Sequence, residues 1–205
     1  MRQAIAVFAK APIPGFAKTR LVERLGADGA ARLQRQLTTR ALQRACSLPE
    51  TSVELWVDGS AGHPFVLQSA HEFDVTVRLQ QGNDLGARMA NAFASMLGEA
   101  QRVLIIGTDC PAQSVTDLAA AFAALDAADV VVQPAEDGGY VLIGARECHP
   151  SLFDAVPWGS DRVLALTRER AAAAGLLLTE LPTSWDLDRP ADLERALAAG
   201  LVDEP

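Results

Sequence analysis

Lysine is nearly missing from this sequence. Of 18 basic residues, 16 are arginines, and only Lys10 and Lys18 are lysines. Basic charge as a whole is short: 18 cations against 26 carboxylates leave a formal charge of −8. Such a chain lacks the basic face that displaces counterions from a nucleic acid, which argues against a general nucleic-acid binder. Cysteine is scarce too. Cys46, Cys110 and Cys148 lie far apart, with no CxxC and no Cys/His cluster, so neither a zinc site nor a disulfide framework is expected. His63, His71 and His149 are scattered and read as surface or loop residues. This usage fits a cytoplasmic location. No apolar run approaches 18 residues, so no membrane-spanning helix is expected. The opening MRQAIAVFAKAPIPG has an apolar stretch too short for a signal peptide and reads as a strand. Three familiar signatures are also missing. A Walker A loop would need glycine where Pro12 and Ala17 stand, leaving only Lys18-Thr19 as a match. The first turn has no G-x-G-x-x-G, and no G-x-S-x-G occurs, which disfavours a serine hydrolase.

What is present is a chain of 205 residues, 49% hydrophobic and 21% charged, long enough to bury a sizeable core. Its length predicts one domain over residues 1–205. Apolar or β-branched runs at 4–9, 53–57, 75–79, 103–107, 129–132, 140–144 and 176–181 predict strands. Helical spacing predicts helices over 27–46, over 84–99 starting at Asp84, and over 114–126 behind Ser114 as N-cap. Alternating strands and helices predict an α/β/α sandwich with a mostly parallel sheet covered on both faces. Ligands in such sheets bind beyond the carboxyl ends of the strands.

The first of those ends is KAPIPGFAKTR (10–20), a stiff Pro/Gly loop holding Lys10, Lys18 and Arg20 before a predicted helix. Cations at a helix start are unfavourable for the helix alone, and a bound anion reverses that. Both lysines of the chain stand here, where a compact ammonium suits a phosphate. The bland alternative is a solvated loop.

Carboxylates stand at the other ends. Asp109 leaves the strand VLIIG and is placed to hold Mg²⁺ or Mn²⁺ against a diphosphate, or merely to cap a turn before Pro111. Asp186 and Asp188, two apart, point the same way in extended chain. Asp188 then either completes a metal site with Asp109 or serves as N-cap of a helix containing Pro190. Asp137-Gly138-Gly139-Tyr140 reads as a hairpin turn, or as a close backbone approach to a ligand with Glu136 and Tyr140 facing a sugar-like group. In QQGNDLGARM (80–89), Asp84 is a helix cap, and Arg88 either reaches a phosphate, supports Asp109 or sits on the surface.

Six segments in order carry a resemblance: FAKAPIPGFAKTRL (8–21), QGNDLGARM (81–89), IGTDCP (106–111), EDGGYVLIG (136–144), PWGSDRV (157–163) and DLDRPADL (186–193). Together they resemble the GT-A-like nucleotide-diphospho-sugar transferase superfamily. Within it they look like the bacterial glycosyltransferase-like family of radical-SAM/selenodomain-associated transferases. The loop Lys18 to Leu21 is similar to that of molybdenum-cofactor and phospholactate guanylyltransferases. The resemblance implies the GT-A fold, with nucleotide contacts from Ala9, Lys10, Gly15, Lys18 and Arg20 and base contacts near Gln81, Gly82 and Asp84, with Arg88 close by. It implies Asp109 as the metal-binding aspartate with Asp188 as second ligand, and an acceptor side built by Asp137 to Tyr140 (with Gly138 and Gly139) and Trp158; the position of Asp186 two residues before Asp188 makes it a further acceptor-side candidate. Two departures fall on that acceptor side: Gln133-Pro134 where the family has Gly-Pro, and Trp158-Gly159-Ser160 where it has Trp-Ser-Thr.

The leading expectation is a metal-dependent glycosyltransferase taking a nucleotide-diphospho-sugar and a small hydroxyl-bearing acceptor. Lys18 and Asp109 would act on the diphosphate and Asp137 on the acceptor. The alternative is a nucleotidyltransferase joining an NTP to a phosphorylated small molecule with release of pyrophosphate. A third is an inactive nucleotide-binding module.

Overall fold

The computed structural model describes residues 2–205. The strands are β1 (Gln3–Lys10), β2 (Thr51–Asp58), β3 (Thr76–Leu79), β4 (Arg102–Gly107), β5 (Val130–Pro134), β6 (Tyr140–Ala145) and β7 (Leu178–Glu180). They form one seven-stranded sheet in the order β3-β2-β1-β4-β6-β5-β7. Only β6 runs against the others: it pairs antiparallel with both β4 and β5. Its direction follows from the Asp-Gly-Gly connection, which is far too short for a parallel crossover and forms a hairpin instead. Adding a Cβ at Gly138 (φ 89°) would drive it into the Asp161 backbone, so the turn needs glycine here.

Residues alternate between the faces of each strand. Ala4, Ala6 and Phe8 of β1 join Val103 and Ile105 of β4 in one core layer. Ile5, Val7 and Ala9 join Leu104 and Ile106 in the other. Both faces are therefore buried, which is why these strands read as unbroken apolar runs. The first layer is closed by α3 (Leu85–Met96) and α5 (Val163–Ala173), the second by α1 (Val22–Cys46), α2 (Pro64–Phe73) and α4 (Val115–Ala124). Helix α3 presents Met89, Ala92, Phe93 and Met96 at i, i+3, i+4, i+7 spacing, and each such large side chain buried contributes roughly 2 kcal/mol. Its N-cap is Asp84, which accepts the Ala87 N–H at 2.8 Å. Ser114 and Asp117 form a capping box at the start of α4.

The long first helix starts earlier than its apolar spacing suggests. A 3₁₀ turn (Thr19–Leu21) leads into α1, and Gly26 (φ 69°) breaks the helix into a short first segment and a long second one. Helices α2 and α5 were not legible as periodic runs. The last helix, α6 (Pro190–Ala198), packs Leu193 and Ala196 against Leu21, Leu33, Leu37, Trp185 and Leu187. This third, smaller cluster ties the first loop to the C-terminal segment. Among the described residues, no helix is long and apolar enough to cross a membrane.

Candidate active site

The sheet order reverses between β1 and β4, whose carboxyl ends lie side by side there. Chains leaving two such strands diverge and open a crevice. The loop after β1 forms one wall. Ala11, Pro12 and Ala17 are buried beneath it, while Pro14, Gly15 and Phe16 form its exposed tip. The loop ends on Lys18 in the left-handed region (φ 51°), a conformation that is unfavourable for a residue with a Cβ. What holds Lys18 there is its ammonium. Nζ donates to the Leu187 carbonyl and lies 2.9 Å from Asp109 Oδ1 and 3.4 Å from Asp188 Oδ1. The side chain is only 3% exposed, so this charge depends on its partners. Arg20 closes on Asp188 Oδ2 at 2.7 Å from the solvent side.

Asp109 is fixed from behind. The Thr108 hydroxyl donates to Asp109 Oδ1 at 3.1 Å, and Gln34 Nε2 on α1 donates to that hydroxyl at 3.0 Å. Gln34, Thr38 and Thr108 are all buried. The C-terminal segment arrives by main-chain pairing: Ser184 N–H donates to the Pro134 carbonyl, Glu136 N–H to the Ser184 carbonyl, and Leu187 N–H to the Asp109 carbonyl at 2.7 Å. Leu187 points into the third core cluster, so Asp186 and Asp188 on either side of it both face the crevice. Asp188 is not the cap of α6; Arg189 holds that position, and Asp192 accepts the backbone N–H groups of Asp188 and Arg189.

Two cavities meet at Asp109. One, about 240 Å³, is lined by Lys10, Lys18, Arg20, Gln34, Asp109 and Asp188. The other, about 270 Å³, is walled by Phe8, Met89, Ile105, Tyr140, Trp158 and Val163. Its rim carries Asp109, Asp137 and Asp186, and no Lys, Arg or His lines it among the described residues. Asp186 shows the effect of that crowding. Burial first, and then the Asp137, Asp188 and Asp109 carboxylates, push its carboxyl up to about 6. Asp137 Oδ1 accepts the Gly139 N–H at 2.9 Å. Burial also raises the Tyr140 phenol, which lies beside Thr167 and packs edge-on to Trp158. Trp158 in turn rests on Gly86, where any Cβ would strike the indole.

The other expected positions fall around this centre. Lys10 is exposed and stands over the Phe16 ring, 5.9 Å away. Ala9 is buried, and its carbonyl accepts from Gln80 Nε2. Gly15 is at the exposed loop tip, and Gln81, Gly82 and Asp84 are exposed at the entry to α3. Two alternatives are corrected. Arg88 does not support Asp109: it pairs with Asp58 at 3.0 Å, because both lie at the carboxyl end of β2 and the start of α3. Glu136 faces away and binds Arg195. Asp109 and Asp188 do converge, but on Lys18; among the described residues, no group of three or more His, Cys, Asp or Glu is arranged to hold a metal.

Four residues contribute to the site without a signal of their own in the sequence. Gln34 sits mid-helix in an Ala-rich run, and only Leu37 and Thr38 at i+3 and i+4 mark its face as buried. Thr108 was overshadowed by its neighbour. The Met89 and Phe8 side chains read as core and also line the apolar cavity.

Comparison with known proteins agrees with this architecture. The family model of uncharacterized proteins conserved in bacteria, DUF2064, matches residues 39–160. No curated protein matches the sequence. A candidate nucleotide-diphospho-sugar transferase from Desulfovibrio desulfuricans G20 is 32% identical, with a TM-score of 0.89 over 97% of this chain and 87% of its own. A nucleotidyl transferase from Methanothermobacter superposes with a TM-score of 0.64 at 16% identity, over 98% of each chain. Glucosyl-3-phosphoglycerate synthase from Mycobacterium tuberculosis, solved with Mn²⁺ and UDP, gives 0.57 at 10% identity over 97% of this chain and 76% of its own. The last two likenesses speak for the fold alone.

Proposed function

The chain belongs to the DUF2064 family and has the fold of nucleotide-diphospho-sugar transferases and nucleotidyltransferases, and from this we propose that it is a metal-dependent glycosyltransferase. Its donor is a nucleotide-diphospho-sugar and its acceptor a small hydroxyl-bearing molecule. One observation carries the reading: Asp109 forms the shared wall between a cavity rich in cations and a cavity rich in apolar side chains and carboxylates. A transferase needs that division, with the charged leaving group on one side and the acceptor on the other.

The donor's diphosphate enters the cationic cavity, where Lys18, Arg20 and Lys10 face it. Lys18 is the principal catalytic group there, because its buried ammonium offsets the negative charge that grows on the departing phosphate. Ala9, Gly15, Gln81, Gly82 and Asp84 line the approach for the nucleoside. The acceptor lies in the apolar cavity against Tyr140, Trp158 and the Gly138-Gly139 turn. Asp137, or Asp186 beside it, takes the proton of the acceptor hydroxyl. The acceptor oxygen then bonds to the sugar's anomeric carbon, and the bond from that carbon to the phosphate oxygen breaks with its electrons leaving on the nucleoside diphosphate. A single displacement of this kind inverts the anomeric centre.

Asp109 and Asp188 fit a divalent cation. Both already aim an oxygen at one cation, the Lys18 ammonium, and hard carboxylate oxygens suit Mg²⁺ or Mn²⁺. Two carboxylates with substrate phosphates completing the shell is a usual Mg²⁺ arrangement, so a third protein ligand is not required. When bound, the ion would supply Lewis-acid stabilisation of the diphosphate. Nucleotidyl transfer is the second reading, favoured by one feature: Lys10, Lys18 and Arg20 together suit a triphosphate.

The test is a thermal-shift panel of UDP, GDP, CDP and ADP, their triphosphates and common nucleotide-sugars, each with and without Mg²⁺ or Mn²⁺. A ligand at 100 times its Kd adds about 2.7 kcal/mol of stability, a readily measured rise in Tm. A metal-dependent shift with one base is expected, followed by sugar transfer without pyrophosphate. Pyrophosphate release would favour the second reading. No shift with any nucleotide, in folded protein, would reduce the chain to an inactive module.

A further inference from the structure

We infer that the apolar, acid-rimmed cavity selects an uncharged alcohol as acceptor and rejects phosphorylated ones. This rests on the reading of Lys18 and Asp109 as the nucleotide side of the site, and it separates sugar transfer to a neutral hydroxyl from nucleotidyl transfer to a phosphate. The geometry divides charge sharply at Asp109. Among the described residues, the cations that line the two cavities, Lys10, Lys18 and Arg20, all lie in one of them. The opposite cavity has three carboxylates and no cationic side chain among the described residues. Asp109 shares its charge with Lys18, but Asp137 and Asp186 take part in no ion pair among the described residues. A phosphate dianion in that cavity would face two carboxylates with nothing to neutralise it, and like charges across an interface are strongly rejected.

The same groups suit a hydroxyl. A carboxylate accepts O–H donors through two oxygens, and one carboxylate is then in place to take the proton as the acceptor oxygen bonds to carbon. The rest of the wall supplies apolar contact from Phe8, Met89, Ile105 and the Tyr140–Trp158 pair, with ring centroids 6.5 Å apart. At about 270 Å³ the cavity lies just below the usual ligand-pocket range of ~300–1,000 Å³, so it takes a compact body such as one sugar ring or a short polyol.

The experiment uses matched pairs: glycerol and glycerol 3-phosphate, ribose and ribose 5-phosphate, glucose and glucose 6-phosphate, benzyl alcohol and benzyl phosphate. Binding is measured by ligand-observed NMR at millimolar concentration. The full chain is used, loaded with Mg²⁺ and whichever nucleoside diphosphate raises its Tm. At least one neutral member is expected to bind, about tenfold or more tightly than its phosphate. The double variant Asp137→Asn/Asp186→Asn should bring that ratio below about threefold while keeping the nucleotide-dependent Tm rise, which also proves it folded. A phosphate that binds as well as its alcohol, or a panel in which no alcohol binds, overturns the inference while nucleotide binding stands. Failure of every nucleotide to shift the Tm overturns the underlying reading, and this one with it.

Discussion

The two sides of Asp109 are built from different material. On the α1 side, a loop with the chain's only two lysines folds over a buried polar chain of Gln34 and Thr108, and its ammonium is enclosed by oxygens. On the α3 and α5 side, apolar and aromatic walls carry Asp137 and Asp186, which take part in no ion pair among the described residues. The first is electrostatically satisfied before any ligand arrives. The second is not, as the raised Asp186 carboxyl records. A site divided in this way receives an anion by exchanging partners on one side and a neutral molecule by relieving crowding on the other. That difference is open to being broken by single substitutions.

The largest effect should come from Lys18. Lys18→Ala is expected to lower affinity for nucleoside diphosphates, and any transfer rate, by about 100-fold or more. Asp137→Asn should leave nucleotide affinity within about threefold while lowering the transfer rate strongly. Calorimetry with the nucleotide identified by thermal shift checks both. Equal losses from the two variants would erase the division at Asp109.

The next effect reverses the usual direction. The Lys18 ammonium now occupies the point on which Asp109 and Asp188 converge. A metal binding alone must compete with it. Lys18→Met should therefore raise the affinity for Mn²⁺ without nucleotide, by about tenfold, since a unit charge near 4 Å at a protein surface interacts by roughly 4 kcal/mol before solvation losses. Titration followed by electron paramagnetic resonance reads free Mn²⁺ directly. Unchanged or weaker Mn²⁺ binding would show that the two carboxylates are not the metal's ligands.

Much of this was legible because the fold leaves strong periodic marks. Buried parallel strands read as apolar runs, and the polar segments at their carboxyl ends drew attention to Lys18, Asp109, Asp137 and Asp188. Long-range partners were not legible. Nothing in the spacing of Arg88 reveals Asp58, thirty residues earlier on β2, and nothing in Glu136 reveals Arg195 on α6. The pairing of Asp186 and Asp188 with the Asp109 loop depends on a main-chain ladder from Pro134 through Ser184 to Leu187, which has no side-chain signature. Nor does an antiparallel β6 announce itself, except through the shortness of its turn.

The unsatisfied side can be tested through stability. The folded Asp186 carboxyl titrates near 6 rather than 3.8, so the folded state binds this proton more tightly than the unfolded chain. The group is neutral to stability below about pH 4, its penalty grows between about pH 4 and 6, and above that the full penalty persists. Asp186→Asn should thus stabilise the metal-free protein at about pH 8 by about 1–2 kcal/mol, after a discount for partial exposure. The gain should fade at about pH 4. Urea titrations at the two pH values check this. A gain independent of pH would assign the effect to packing rather than to the crowded carboxylates.

The smallest effect concerns the two arginines that a phosphate-binding reading of the sequence would group together. Arg20 lies on Asp188 at the rim of the cationic cavity, with its side chain 62% exposed and within reach of a ligand there. Arg88 is held by Asp58 at 3.0 Å and by the Gly82 carbonyl, which keeps it on the entry to α3. Arg20→Ala should weaken nucleoside diphosphate binding by about tenfold, as expected for loss of one charged hydrogen bond. Arg88→Ala should change it by less than about twofold and lower stability by about 0.5–1 kcal/mol, the worth of a partly exposed ion pair. If Arg88→Ala instead matched Arg20→Ala, then Arg88 would exchange Asp58 for the nucleotide on binding, and the cationic side of Asp109 would extend across the mouth of β2.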